Sequence, residues 1–190
     1  ASWNGLMLGA LARAAVVLGE DKYRTAAERN LLFIRNNLWD APTKTLFHRW
    51  REGARDQVQL LEAYAFLLDG VIHLYEATLT PAHLEFAIAL AESMIAKFYD
   101  PENGGFWQSA AEATDLILRV KDDYDGAEPS GNAVATLALL KLAAITDRDE
   151  FHQPATATLQ LFGSRLDKLP QAVPYLLQAL DFWLEAPRRI

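Results

Sequence analysis

The sequence predicts an all-α protein, a partial α/α toroid in which helical hairpins repeat along the chain. Two features lead to this prediction. Three amphipathic segments share one helical phase, and each is preceded by a segment that is apolar on nearly all sides. A helix of the second kind must be covered on most faces, whereas its amphipathic partner can face solvent. We therefore expect inner and outer helices to alternate, with the inner helices lining a cavity.

The expected inner helices are Gly5 to Leu18, Leu60 to Thr78 and Asn132 to Ile145. Gln171 to Glu185 follows Pro170 and is expected to supply the next inner helix, since proline is tolerated in a first turn. Each outer helix carries an apolar stripe at a four-three-four spacing, which falls on one helical face. The stripes are Ala27, Leu31, Ile34 and Leu38; Ala87, Ala91, Met94 and Phe98; and Ala155, Leu159, Phe162 and Leu166.

The repeats are expected to span about 4–40, 60–100 and 132–166 of a single helical domain, with a final helix at 171–185. The links between them are long and also repeat: Trp39-Asp40 is matched by Tyr99-Asp100, each followed by a Pro-bearing turn. Glycine pairs and alternating residues in the links predict short, β-like extended strands.

The third repeat is eight residues longer than the second when the helices are matched. Counting back from them makes Asn4, Tyr64 and Asn132 equivalent positions. Because Tyr124 lies sixty residues after Tyr64, the extra residues are expected at Asp125 to Asn132. This places the insertion in an acidic segment that precedes the third inner helix.

Composition excludes several classes of function. The 190 residues are 51% apolar, and the net charge of −7 comes from 25 acidic and 18 basic residues without a basic block, so neither nucleic acid nor membrane is an expected partner. The absence of cysteine favours a cytoplasmic location, and no apolar run reaches the ~20 residues of a membrane span. Neither a calcium-loop spacing nor a phosphate-binding glycine motif occurs, so no metal or cofactor is expected.

The chain opens without an initiator Met, and we expect a fragment of a longer protein.

The segment from Lys121 to Asn132 is the best candidate for catalysis. Glycoside hydrolysis needs two carboxyl groups roughly 5 to 9.5 Å apart, and Asp123, Asp125 and Glu128 are the candidate acids and bases. A structural alternative remains open. In it Asp122 and Asp125 make turn hydrogen bonds, Ser130 caps the following helix, and Lys121 and Arg119 pair with neighbouring acids.

Aromatic and polar residues at the starts of the inner helices suit a sugar ligand, which presents flat C–H faces and hydroxyls. Trp3 and Asn4 are candidates, although the Trp3 ring could equally fill a gap between helices. Tyr64 lies in an apolar run, where packing is the favoured alternative. Epimerisation instead needs a base such as histidine; His48 is the one histidine placed on a link, with a structural role as its alternative. The full set of candidate substrate-binding residues is Trp3, Asn4, His48, Glu62, Tyr64, Tyr124, Ser130 and Asn132.

Several motifs in register resemble the helical portion of the YyaL-like family, which includes the spermatogenesis-associated thioredoxin-like proteins. They are Ser2-Trp3-Asn4-Gly5-Leu6, Tyr64-Ala65-Phe66-Leu67 with Tyr75-Glu76-Ala77, Phe98-Tyr99-Asp100 before Gly104-Gly105-Phe106, and Lys121 to Asn132. The resemblance covers essentially the whole chain and implies the C-terminal part of a six-hairpin glycosidase-like toroid that follows a thioredoxin-like domain. It departs from the family at Glu62-Ala63, where two acids are usual.

The resemblance implies carbohydrate processing by analogy of fold. The first hypothesis is a carbohydrate-active domain, a glycoside hydrolase or a sugar 2-epimerase-like enzyme that uses acids at the toroid cavity. The alternative is a non-enzymatic scaffold or partner-binding domain that serves the thioredoxin-like domain. Expected partners are a sugar ligand and either the missing N-terminal part of the parent chain or a second copy, since the end helices of an open arc leave apolar surface uncovered.

Overall fold

The computed structural model describes residues 1–111 and 118–185, which divide into two compact units, Ala1–Met94 and Ile95–Ile190. The helices are α1 (Ser2–Leu18), α2 (Asp21–Asn37), α3 (Leu61–Thr78), α4 (Pro81–Phe98), α5 (Gly131–Thr146), α6 (Asp149–Leu161), α7 (Gly163–Lys168) and α8 (Pro174–Leu184), with a 3-10 turn at Pro170–Ala172. Two small antiparallel hairpins join α2 to α3: β1 (Trp39–Asp40) pairs with β2 (Thr45–Leu46), and β3 (Trp50–Arg51) pairs with β4 (Ala54–Arg55). The prediction of an all-α fold with short strands in the links is confirmed.

Glycine brings α1 and α3 of the first unit into close contact. A Cβ atom built on Gly70 would lie 2.5 Å from the Gly5 carbonyl oxygen, and one built on Gly5 would lie 2.5 Å from the Leu67 nitrogen. Both neighbours are backbone atoms, which cannot rotate away as a side chain can. Small residues at this crossing therefore set the distance between the two helices.

Two of the predicted outer helices bury the expected stripes. Ala27, Leu31, Ile34 and Leu38 are at most 3% exposed, and Ala87, Ala91, Met94 and Phe98 are fully buried. Helix α1 departs from the expectation of an inner helix covered on most faces. Its buried residues are Ser2, Gly5, Leu8, Gly9 and Ala12, and its opposite face leaves Trp3, Met7 and Val17 more than half exposed. Among the described residues of this unit, α1 packs on α2 and α3 along one side only.

In the second unit α5 is the central helix. It packs on α6 and α8 and buries nearly every residue from Asn132 to Ala143. The prediction of the third outer stripe is wrong for Phe162 and Leu166, because α6 ends at Leu161. Phe162 leaves the helical conformation, with φ −92° and ψ 9°. The final predicted helix is likewise divided into the 3-10 turn and α8, with Pro174 at the first position of α8.

The equivalence of Tyr64 and Asn132 is visible in matching hydrogen bonds. The Leu46 amide donates to the Tyr64 hydroxyl at 2.7 Å, and sixty residues later the Phe106 amide donates to Asn132 Oδ1 at 2.7 Å. In each repeat, a residue near the start of a buried helix thus holds an extended segment of the preceding link.

The expected position of the eight-residue insertion needs a correction. The His48 amide donates to the Val58 carbonyl, and the Gln108 amide donates to the Val120 carbonyl, so these pairs are equivalent. Ten residues separate the first pair and twelve the second, while six separate Val58 from Tyr64 and twelve separate Val120 from Asn132. Two of the extra residues therefore precede Val120 and six follow it, because the chain between fixed hydrogen bonds absorbs length wherever it is not paired.

Candidate functional site

The acidic loop, defined as Lys121 to Asn132, lies between the second-unit link and α5. Asn132 holds it at the α5 end. This side chain is 1% exposed, accepts from the Phe106 amide, and donates through Nδ2 to the carbonyls of Phe106 and Asp122 at 2.9 Å each. Ser130 caps α5, with its Oγ accepting from the Ala133 amide at 3.2 Å, as the structural alternative predicted.

At its other end the acidic loop is held by a buried ion pair. Lys121 Nζ lies 2.7 Å from Asp100 Oδ2 and donates to the Gly104 carbonyl at 2.6 Å. Asp100 also accepts from the amides of Glu102 and Asn103. The Lys121 ammonium, followed by these donors, holds the pKa of the Asp100 carboxyl far below its ordinary value, despite the opposing effect of burial.

The structural alternative was right that Lys121 pairs with an acid, although the acid belongs to the preceding link. Among the residues that the structure describes, Arg119 contacts no acid; it donates to the Ser109 carbonyl at 2.8 Å and lies over the Trp107 ring. Lys121 lies over the same ring, 4.5 Å from its centroid.

The three predicted catalytic acids have different surroundings. Asp123 is 15% exposed and forms an ion pair with Arg165 of α7, with 2.7 Å between Oδ2 and Nε. Asp125 Oδ1 accepts from the Ser130 amide at 2.8 Å, and Oδ2 accepts from the Tyr175 amide at 2.7 Å. Glu128 is exposed, and no ion pair to it occurs within 1–111 and 118–185. Of the three, Glu128 is thus the carboxylate that faces solvent.

Two other loop residues complete this surface. Asp122 is exposed and accepts from the Tyr124 amide at 3.1 Å, the turn hydrogen bond that the structural alternative predicted. The Tyr124 ring is 62% exposed. The loop therefore has a hydrogen-bonded base and a solvent-facing tip that carries an aromatic ring and the Glu128 carboxylate.

The remaining candidates belong to the first unit. Trp3 is 76% exposed at the start of α1, and the neighbouring Asn4 is exposed with its carbonyl accepting from Asn30. Tyr64 is fully buried, as the packing alternative predicted, and its hydroxyl accepts the Leu46 amide. Glu62 lies partly exposed in the first turn of α3.

His48 is partly exposed, and its backbone is held on both sides, by the Val58 carbonyl and the Ala1 amine. Its Nδ1 atom is buried and has no hydrogen-bond partner among the residues that the structure describes. A buried nitrogen without a partner is costly and demands an explanation, for example a bound water or ligand.

Sequence reasoning missed a cluster of one histidine and two carboxylates on α3. The His73 side chain is 10% exposed and lies 3.5 Å from Asp69 and 3.0 Å from Glu76. The signal was present in the spacing, because residues three and four apart share a helical face. His83, at the start of α4, contacts Thr78, and burial lowers its pKa.

No group of three or more metal-binding side chains occurs among the described residues. None of the helices described is both long and apolar enough to cross a membrane.

Solved structures with the same fold are known. The structure resembles a GH76 alpha-mannanase of Bacteroides thetaiotaomicron with a TM-score of 0.73, at 17% identity over 96% of this chain and 50% of that one. It also resembles a cellobiose 2-epimerase of Spirochaeta thermophila (TM-score 0.68, 18% identity, 85% and 42% of the two chains) and an unsaturated glucuronyl hydrolase of a Bacillus species (TM-score 0.64, 20% identity, 81% and 43%). The chain therefore shares the α/α toroid fold of these structures, and the predicted fold class is confirmed.

No family model matches the chain. In sequence it is similar to spermatogenesis-associated protein 20 of Rattus norvegicus, with 36% identity over 95% of this chain, and to that of Homo sapiens, with 34% identity over the same share. The predicted resemblance is thereby confirmed. The chain spans 24% of the length of these relatives.

Proposed function

We propose that this chain is part of a carbohydrate-active domain, with the acidic loop contributing to a sugar site. The observation that carries the proposal is the fold, which 81–96% of the chain shares with a mannanase, an epimerase and a glycuronyl hydrolase. All three act on sugars by name, and an exposed ring and an exposed carboxylate in the same loop, as at Tyr124 and Glu128, suit a sugar ligand.

The contacts of the three acids suggest which of them is the acid and which the base or nucleophile in a hydrolase. Asp123 is held in place by Arg165, with 2.7 Å between Oδ2 and Nε, and a positioned carboxylate is what a base or nucleophile requires. Glu128 is then the acid that donates a proton to the leaving oxygen. Asp125, with both oxygens accepting backbone amides, is the least suited to proton transfer.

A panel of mannosides, cellobiose and unsaturated glucuronyl disaccharides tests this proposal in the natural protein. Asp123→Asn and Glu128→Gln are expected to reduce turnover at least a hundredfold, in line with the contribution of general acid–base catalysis. Asp167→Asn, an exposed acid on α7, is the matched control and should leave turnover unchanged. If neither loop variant alters binding or turnover of a sugar that the wild type processes, the assignment of the loop is wrong.

An epimerase mechanism places the proton transfer at His48 instead, because its Nδ1 lacks a partner among the described residues. His48→Asn separates the two mechanisms: it is expected to abolish epimerisation and to spare hydrolysis. Retained epimerisation by this variant would exclude His48 as the base.

A non-enzymatic scaffold that serves a thioredoxin-like domain is the second candidate. It is favoured by the commitment of Asp123 and Asp125 to structural contacts and by the full burial of Ala63, where the family usually carries an acid. Protection of the acidic loop from hydrogen exchange by such a domain, with no protection by any sugar of the panel, would support the scaffold over the enzyme.

A further inference from the structure

Helix α8 begins without a capping side chain of its own. Its N-cap residue is Val173, which has no side-chain acceptor, and Pro174 at the first position has no amide hydrogen. The first amide that needs an acceptor is that of Tyr175, and it donates to Asp125 Oδ2 at 2.7 Å, fifty residues away along the chain.

Asp125 is both an acceptor and a donor of hydrogen bonds to the segment around the start of α8. While its carboxylate accepts from Tyr175, its own amide donates to the Ala172 carbonyl at 2.9 Å in the 3-10 turn. The second carboxylate oxygen accepts from the Ser130 amide at 2.8 Å, which closes the acidic loop on itself at the N-cap of α5. A single side chain thus joins the starts of two helices.

The charge of this contact suits its place. An anionic side chain at a helix N-terminus interacts favourably with the helix dipole, and charge-assisted hydrogen bonds are stronger than neutral ones. Asp123 adds a second connection to the same part of the unit through Arg165 of α7.

We propose that Asp125 is a capping clamp in trans, through which the acidic loop and the start of α8 order and disorder together. The clamp is independent of any sugar chemistry and holds whether the domain is an enzyme or a scaffold. By thermodynamic reciprocity, the acidic loop stabilises the start of α8 by the same coupling free energy with which α8 stabilises the loop, so weakening either one weakens the other.

Amide hydrogen exchange measured by NMR on the 190-residue chain tests the clamp. Asp125→Ala is expected to speed exchange at both Tyr175 and Ser130 by roughly two- to thirtyfold, the range for loss of a helix cap. Asp125→Asn keeps one accepting oxygen and should keep protection at one of the two amides. Glu128→Gln, an exposed acid of the same loop, is the matched control and should change neither.

A second variant tests coupling without touching the loop. Gln178 is exposed on α8, and Gln178→Gly weakens the helix through its backbone propensity alone, by up to about fivefold in the helix equilibrium. We expect faster exchange at Ser130 as well as at Tyr175. Unchanged exchange at Ser130 in Gln178→Gly, or at both amides in Asp125→Ala, would overturn the clamp.

Discussion

Substitution of Asn132 should separate the acidic loop from α5. The Asn132 side chain is 1% exposed and makes three hydrogen bonds, one accepted from the Phe106 amide and two donated to the carbonyls of Phe106 and Asp122. In Asn132→Ala the Phe106 amide, in a fully buried residue, loses its acceptor, and two carbonyls lose a donor. A buried group left without a partner costs about 1–3 kcal/mol, so we expect a loss of about 3 kcal/mol in the free energy of unfolding of the second unit.

Asn132→Asp gives a sharper version of the experiment because it preserves size. The new carboxylate still accepts from Phe106, but it places an oxygen where Nδ2 now lies 2.9 Å from two carbonyl oxygens. This surrounding favours the protonated acid, so its folded pKa should rise above the ordinary value of ~3.9. The variant is therefore expected to be least destabilised at acidic pH and to lose stability as the pH rises through ~4 and above.

Two readouts check these expectations: urea unfolding followed by circular dichroism, and hydrogen exchange at the Phe106 amide. Asn36→Ala, an exposed substitution on α2, is the matched control and should change the free energy of unfolding by less than about 0.5 kcal/mol. A Phe106 amide as well protected in Asn132→Ala as in the wild type would refute the reasoning, since that amide would then have another acceptor.

Three further predictions follow from the packing, the ion pair and the exposed face of α1. Gly70→Ala is expected to lower the free energy of unfolding by about 1–3 kcal/mol in urea, because its Cβ would lie 2.5 Å from the Gly5 carbonyl oxygen. Gly163→Ala is the control, since a Cβ there meets no atom within 4 Å and should change the free energy little. Lys121→Met should cost about 2 kcal/mol at neutral pH. The pairing depresses the pKa of Asp100, so its stabilisation is present above pH ~4 and is lost as the pH falls further. The difference in free energy of unfolding between Lys121→Met and the wild type should therefore narrow in acid. The apolar face of α1 predicts association of the chain in sedimentation experiments at micromolar concentration, and a dilute, stable monomer would contradict this.

The sequence by itself determined the helices and their spacing. A stripe such as Ala27, Leu31 and Ile34 predicts one buried face whatever lies against it, because helical periodicity is local. The equivalence of Tyr64 and Asn132 also follows from counting, and both side chains accept a backbone amide from an extended segment of the preceding link. The candidate loop was identified from its composition of acidic and polar residues.

Only the tertiary structure decided what each side chain of that loop contacts. Asp123, Asp125 and Glu128 are alike as sequence letters, yet one pairs with Arg165, one caps α8 and one faces solvent. Arg165 lies 42 residues from Asp123 and Tyr175 lies 50 residues from Asp125, and no periodicity connects these partners to the loop. Helix formation depends on neighbours within a few residues, whereas hydrogen bonds and ion pairs between distant segments depend on how the helices pack, and that is why the chemistry of the loop became visible only in three dimensions.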